Sequence, residues 1–153
     1  MLYLLQGLHV LLGIFWFGGA MFSDMVVMPA VRTLDPAGRQ AFLAPYARQA
    51  RRVIAPLSGL TIVFGLALGF PLGAWSRLGS LYGETFLAGL VLAVGLSFWG
   101  AMVVGRGAER LGALAPDSPD LDVAFERFRA GAVAELAGFV VLFVLMVALR
   151  FGY

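Results

Sequence analysis

Four apolar runs, at about 2–28, 53–70, 85–105 and 130–149, constrain this chain more than any other feature. Each is close to the ~20 residues that cross ~30 Å of hydrocarbon at 1.5 Å per residue. Inside lipid no water is available to backbone N–H and C=O groups, so runs of this kind must be helical. Composition requires that solvent. Of the 153 residues 61% are hydrophobic and only 13% charged, where soluble domains carry about a quarter charged. The expected fold is all-α: an integral membrane antiparallel four-helix bundle, one transmembrane domain over residues 1–153, in contact with the lipid bilayer. Residues 2–28 have no basic segment before them and no small-residue cleavage site after them, so they read as a retained helix and not a signal peptide.

The connectors carry their own signals. Asp35-Pro36 offers a helix N-cap followed by proline at the first helical position. The stretch AGRQAFLAPYARQARR that follows is basic and amphipathic, which predicts a short interfacial helix between spans one and two. Trp75 and Tyr82 suit a membrane–water boundary. Ser118-Pro119 repeats the cap-plus-proline signature before the last run, with Asp117, Asp120, Asp122 and Glu126 near the helix start, where the helix dipole favours negative charge. Nine arginines (Arg32, Arg39, Arg48, Arg51, Arg52, Arg106, Arg110, Arg127, Arg129) fall on connectors one and three, against Arg77 and Arg150 on the opposite face. By the positive-inside rule those connectors are cytoplasmic and both termini lie outside.

Several chemistries are excluded outright. The absence of cysteine removes disulfides and thiolate metal sites, and the single histidine removes any multi-histidine site within one chain. All eleven basic residues are arginine, so lysine Schiff-base chemistry is impossible. A formal charge of +2 is explained by arginines at membrane edges, without a nucleic-acid surface.

Three ionisable side chains lie within the apolar runs, and such groups are functional candidates. His9 shares a helix face with Gln6, Gly13, Trp16 and Ala20 and sits roughly 10 Å from the outer surface, level with Val63, Val91 and Leu142. It reads as an axial haem ligand, as a copper ligand, or as a neutral histidine bonded to a carbonyl or to Gln6. Asp24, about 22 Å further along the axis, is expected to pair with Arg51 or Arg52. Glu135 is expected near Ser23, Ser58 and Trp99, as a proton relay, part of a propionate-binding cluster, or a helix-locking partner of Arg51 or Arg52. Met21, Met25 and Met28 follow i, i+4, i+7 spacing, a thioether stripe that suits Cu(I) or ordinary packing. Gly65 and Gly69 form a small-xxx-small face for close helix packing.

The first-run pattern Leu8-His9, Trp16-Phe17-Gly18-Gly19, Asp24 and Met28-Pro29-Ala30, with Arg51-Arg52, Pro56, Gly65 and FERFRAGAVAEL, resembles a bacterial superfamily of small four-helix membrane proteins. It includes CopD-type copper-resistance domains and HemJ-type haem-binding protoporphyrinogen oxidases. The resemblance implies an inner-membrane location and a haem b ligated by His9, with Trp16 lining the cavity and Arg51, Arg52 and Glu135 as polar support. A copper role through Met21, Met25 and Met28 is its alternative, and a cofactor-free structural bundle is a third reading. A homodimer would supply two His9 imidazoles to one haem, and a redox partner is implied. The chain departs from the oxidases in lacking a third-run lysine, an arginine at the Asp24-Met25 position and a proline after Glu135. Those departures argue against protoporphyrinogen oxidation and leave haem or metal binding.

Overall fold

The computed structural model describes residues 1–115 and 117–153. Among them there is no strand, and four helices are long and apolar enough to cross a membrane: α1 Leu2–Arg32, α2 Pro36–Gly69, α3 Leu81–Ala113 and α4 Leu121–Arg150. The helices contain 31, 34, 33 and 30 residues, or about 45–51 Å at 1.5 Å per residue, well beyond ~30 Å of hydrocarbon. The expected spans are therefore the middles of longer rods. All four rods extend at the arginine-rich end, which the α1–α2 and α3–α4 connections share.

This extension corrects the separate interfacial helix expected between spans one and two. The amphipathic segment is the first half of α2, continuous through Pro45 and Pro56. Its apolar residues are not laid on a membrane surface because they have a protein partner. Leu43 and Ala47 are buried with Met28 and Val31 of α1, Ala108 and Leu111 of α3, and Phe125 and Phe128 of α4. A second cluster, Trp16, Leu96 and Phe139, lies nearer the other end. Glu135 and Asp24 fall between the two clusters along α4 and α1, whereas His9 lies beyond the second cluster, toward the opposite end.

The caps agree with the sequence in one place and differ in another. Asp35 Oδ1 accepts the Gly38 N–H at 2.8 Å, with Pro36 at the first helical position. The last helix instead begins at Leu121, and Ser118 Oγ accepts only the Asp120 N–H, at 3.3 Å. The expected Ser118 cap thus closes a turn before the helix. Between α2 and α3, Gly73 takes φ +68, a left-handed conformation suited to glycine. The Arg77 guanidinium gathers that turn, donating to the Leu72 and Gly73 carbonyls and lying 4.1 Å over the Tyr82 ring. Trp75 folds back, its Nε1 donating to Leu66 O at 3.3 Å and its ring meeting Phe86 edge-on.

Neighbouring helices run in opposite directions. In α1 and α2, His9 meets Gly65 while Gly19, further along, meets Ile54. In α3 and α4, Leu96 meets Gly138, Val103 meets Gly131 and Gly107 meets Phe128. Of the neighbouring pairs, α1 and α4 touch least; the Phe139 ring stands edge-on to Trp16 at 5.0 Å and stacks on Phe17 at 5.2 Å.

The cluster at the arginine-rich end should dominate measurable stability. Leu111 is 1% exposed, so Leu111→Ala is expected to cost about 2–5 kcal/mol in denaturant titration of the micelle-embedded protein. Val141, on the outward face of α4, should tolerate alanine within about 0.5 kcal/mol.

Candidate functional site

Among the described residues, each tightly packed helix pair is tied inside the apolar stretch by a hydrogen bond between helices. His9 Nδ1 donates to the Thr61 carbonyl at 2.9 Å, joining α1 to α2. Ser58 Oγ and Ser97 Oγ lie 2.9 Å apart, joining α2 to α3. Trp99 Nε1 donates to the Gly131 carbonyl at 2.9 Å, joining α3 to α4. A polar group in such surroundings costs free energy unless bonded, so each tie fixes the register of its pair.

The His9 tie replaces the expected neighbours Val63, Val91 and Leu142 with Thr61 and Gly65. A carbonyl can only accept, so Nδ1 carries the proton, and in the neutral imidazole Nε2 keeps its lone pair. The ring lies on Gly65, where an added Cβ would come within 3.0 Å of Cε1. The Gly65 face therefore receives a side chain where close backbone approach was expected. Gly13, expected to leave room beside the imidazole, looks onto the Thr61 methyl at 3.7 Å.

The seam between α4 and α1 is different. Glu135 is 5% exposed, and none of the ion pairs among the described residues includes it. Its carboxyl fits against α3 only because residue 100 is glycine, since a Cβ there would run into Oε1. Both flanking helices are irregular at this level. Ser23–Val27 of α1 and Gly100–Gly105 of α3 form π-helical turns, and both contact α4. π-Turns inside α-helices are frequent at functional sites.

The remaining sequence candidates do not converge on either group. Trp16 is buried against Phe139. Arg51, expected to pair with Asp24 or support Glu135, pairs instead with Glu109 at 2.8 Å. Arg52 is exposed and takes part in no ion pair among the described residues. Both arginines lie about 14–15 Å from Thr61 along α2, because that helix continues unbroken and carries them toward its own charged end. The methionine stripe is split. Met21 and Met25 are exposed, 42% and 59%, while Met28 is 5% exposed in the core. The intervening π-turn closes on i→i+5 bonds and shifts the angular register that the i, i+4, i+7 spacing assumed.

Thr61, Ser97 and Gly100 were not singled out by sequence reasoning. Thr61 and Ser58 do carry a signal, as hydroxyls three apart on one face of an apolar helix. Among the described residues no group of three or more histidine, aspartate or glutamate side chains is placed to hold a metal. Two surface depressions are open troughs, one along Asp122–Ala130 and one along Glu84–Leu92, and neither includes His9 or Glu135. Comparison with protein-family models, curated proteins and solved structures finds no match for this chain.

The His9 geometry is checked directly by nitrogen NMR, because the chain has one imidazole. In haem-free protein the spectrum should show Nδ1 protonated and Nε2 bare. Gly65→Leu, which fills the seat of the ring, should abolish that tautomer preference.

Proposed function

We propose that this chain is an inner-membrane protein, an antiparallel four-helix bundle with both termini outside, in which His9 ligates a haem b through Nε2. The carrying observation is the 2.9 Å bond from Nδ1 to the Thr61 carbonyl. Ligating histidines characteristically donate their other ring nitrogen in this way, which fixes the tautomer and raises the basicity of the donor nitrogen. The residues fit a haem in part: one chain offers one axial nitrogen and no second histidine or cysteine. A five-coordinate haem, or a homodimer contributing two His9 side chains, accommodates that donor set. Bound haem supplies one-electron chemistry, while the chain's own part is to orient the imidazole through Thr61 and Gly65.

The arginine-rich end supports the orientation, since nine of the eleven arginines lie there. The resemblance to CopD-type and HemJ-type proteins supports the same reading. The copper alternative draws less support, because Met28 is turned away from Met21 and Met25.

Purified protein from haem-replete cells should show a Soret band that His9→Ala abolishes. A colourless wild-type protein without stoichiometric metal overturns the proposal. Copper analysis of wild type against a Met21→Leu, Met25→Leu double variant separates Cu(I) binding from haem.

A further inference from the structure

We infer that the outward face shared by α2 and α3 at the arginine-rich end binds a phospholipid headgroup that carries two phosphates. The inference rests on the bundle lying in a bilayer, and on neither its orientation nor a haem at His9. Its first support is uneven charge compensation. Of the nine arginines at this end, Arg32 and Arg129 share Glu126, and Arg51 pairs with Glu109. Arg39 donates to the Leu34 and Arg32 carbonyls. Four of the remaining five lie on α2 and α3. These are Arg48, Arg52, Arg106 and Arg110, all exposed and in no ion pair among the described residues.

Helix register gathers the four. Gly112 of α3 packs on the Ala44 backbone of α2, and the Arg51–Glu109 bridge spans the same seam. Counting from that contact along antiparallel helices, Arg52 lies within about 3 Å of the level of Arg106, and Arg48 within about 3 Å of that of Arg110. Arg48 and Arg52 flank Arg51 in sequence, and Arg106 and Arg110 flank Glu109. Glu109 is already taken by Arg51, so the four charges around the bridge are left uncancelled. They form two rungs about 6 Å apart, one helical turn.

Depth selects the anion. Arg52 immediately precedes the apolar run 53–70, and Arg106 immediately follows the run 85–105. Those runs are about 27 and 31 Å long, so the first rung stands at the edge of ~30 Å of hydrocarbon. The second rung falls inside the headgroup layer, which is about 5–8 Å thick on each side. Lipid phosphates occupy that layer, and a guanidinium binds phosphate through paired N–H donors. Basic clusters between helices at this level suit multiply phosphorylated headgroups. Two rungs match two phosphates on one headgroup better than a single phosphate.

The surface above the rungs suits acyl chains. Ala55 and Gly59 follow Arg52 by three and seven residues and share its helix face. Both are exposed, and a Cβ on Gly59 would meet nothing within 4 Å. At the same levels of α3, Phe98 and Met102 are 67% and 49% exposed. An apolar strip thus continues from the guanidinium groups into the hydrocarbon, where a soluble phosphate compound has nothing to place.

The test uses the full-length protein in phosphatidylcholine nanodiscs with a small fraction of spin-labelled lipid, and reads motionally restricted lipid by electron paramagnetic resonance. Wild type should restrict diphosphatidylglycerol in preference to phosphatidylglycerol, which has one phosphate. Arg52→Gln with Arg106→Gln should lower that preference at least fivefold, since one arginine near the surface is worth roughly a factor of five. Arg127→Gln with Arg150→Gln removes the same charge and should leave the preference unchanged. Gly59→Leu alters no charge and should lower it. Equal restriction of the two lipids by wild type overturns the proposal whatever the variants do. An unchanged preference in the Arg52, Arg106 variant overturns it, as does an equal loss in the Arg127, Arg150 variant. Displacement of the labelled lipid by inorganic pyrophosphate would make the face a soluble-anion site and also overturn it. A wild type that cannot enter nanodiscs overturns the membrane reading, and the lipid site with it.

Discussion

The position of Glu135 depends on a glycine. Helices α3 and α4 meet through a series of places where one partner has no side chain: Gly89 under Met146, Gly138 under Leu96, Gly100 under Glu135, Gly131 under Val103 and Gly107 under Phe128. Lipid-like surroundings provide no hydrophobic drive for two apolar helices to associate, so close van der Waals fit and hydrogen bonds must hold them. A glycine opposite a large side chain makes the fit, and the Trp99–Gly131 bond locks its register. Glu135 inherits its depth, its partner and its isolation from that register.

The same logic explains which features were legible from the sequence. Hydropathy identifies helices because it reports a solvent requirement, and all four apolar runs are indeed helical. Asp35-Pro36 is legible because a cap is a local interaction among residues close in sequence. The helix ends are not, since α2 continues past its apolar run only because Leu43 and Ala47 find buried partners on three other helices. The same hidden extension moves Arg51 to the level of Glu109 and away from Asp24.

The site was legible by type and illegible by arrangement. His9 and Glu135 stand out as ionisable groups in apolar runs, and the structure gives each a specific seat on a glycine, Gly65 and Gly100. What hid those seats was angular phase. Two π-turns, at Ser23–Val27 and Gly100–Gly105, break the 100° per residue rule that places side chains on a common face. Asp24 and Met25 lie inside the first of them, with Met21 and Met28 on either side. Periodicity arguments fail there because the period itself changes.

The ends and the middle of the α1–α4 seam are held by different physics. Near one end Phe139 packs on Trp16 and Phe17, an aromatic contact worth about 0.5–1.5 kcal/mol per pair beyond its buried area. At the other, Arg32 binds Glu126 at 3.0 Å and lies over Phe125. Both partners of that ion pair are about half exposed, so it contributes about 0–1 kcal/mol. Neither contact is strong enough to make the seam insensitive to what happens between them. Glu135 lies between them, beside two widened turns and on the least extensive interface between neighbouring helices. The other three pairs are tied inside the apolar stretch by hydroxyls, an indole and a carbonyl-bound imidazole.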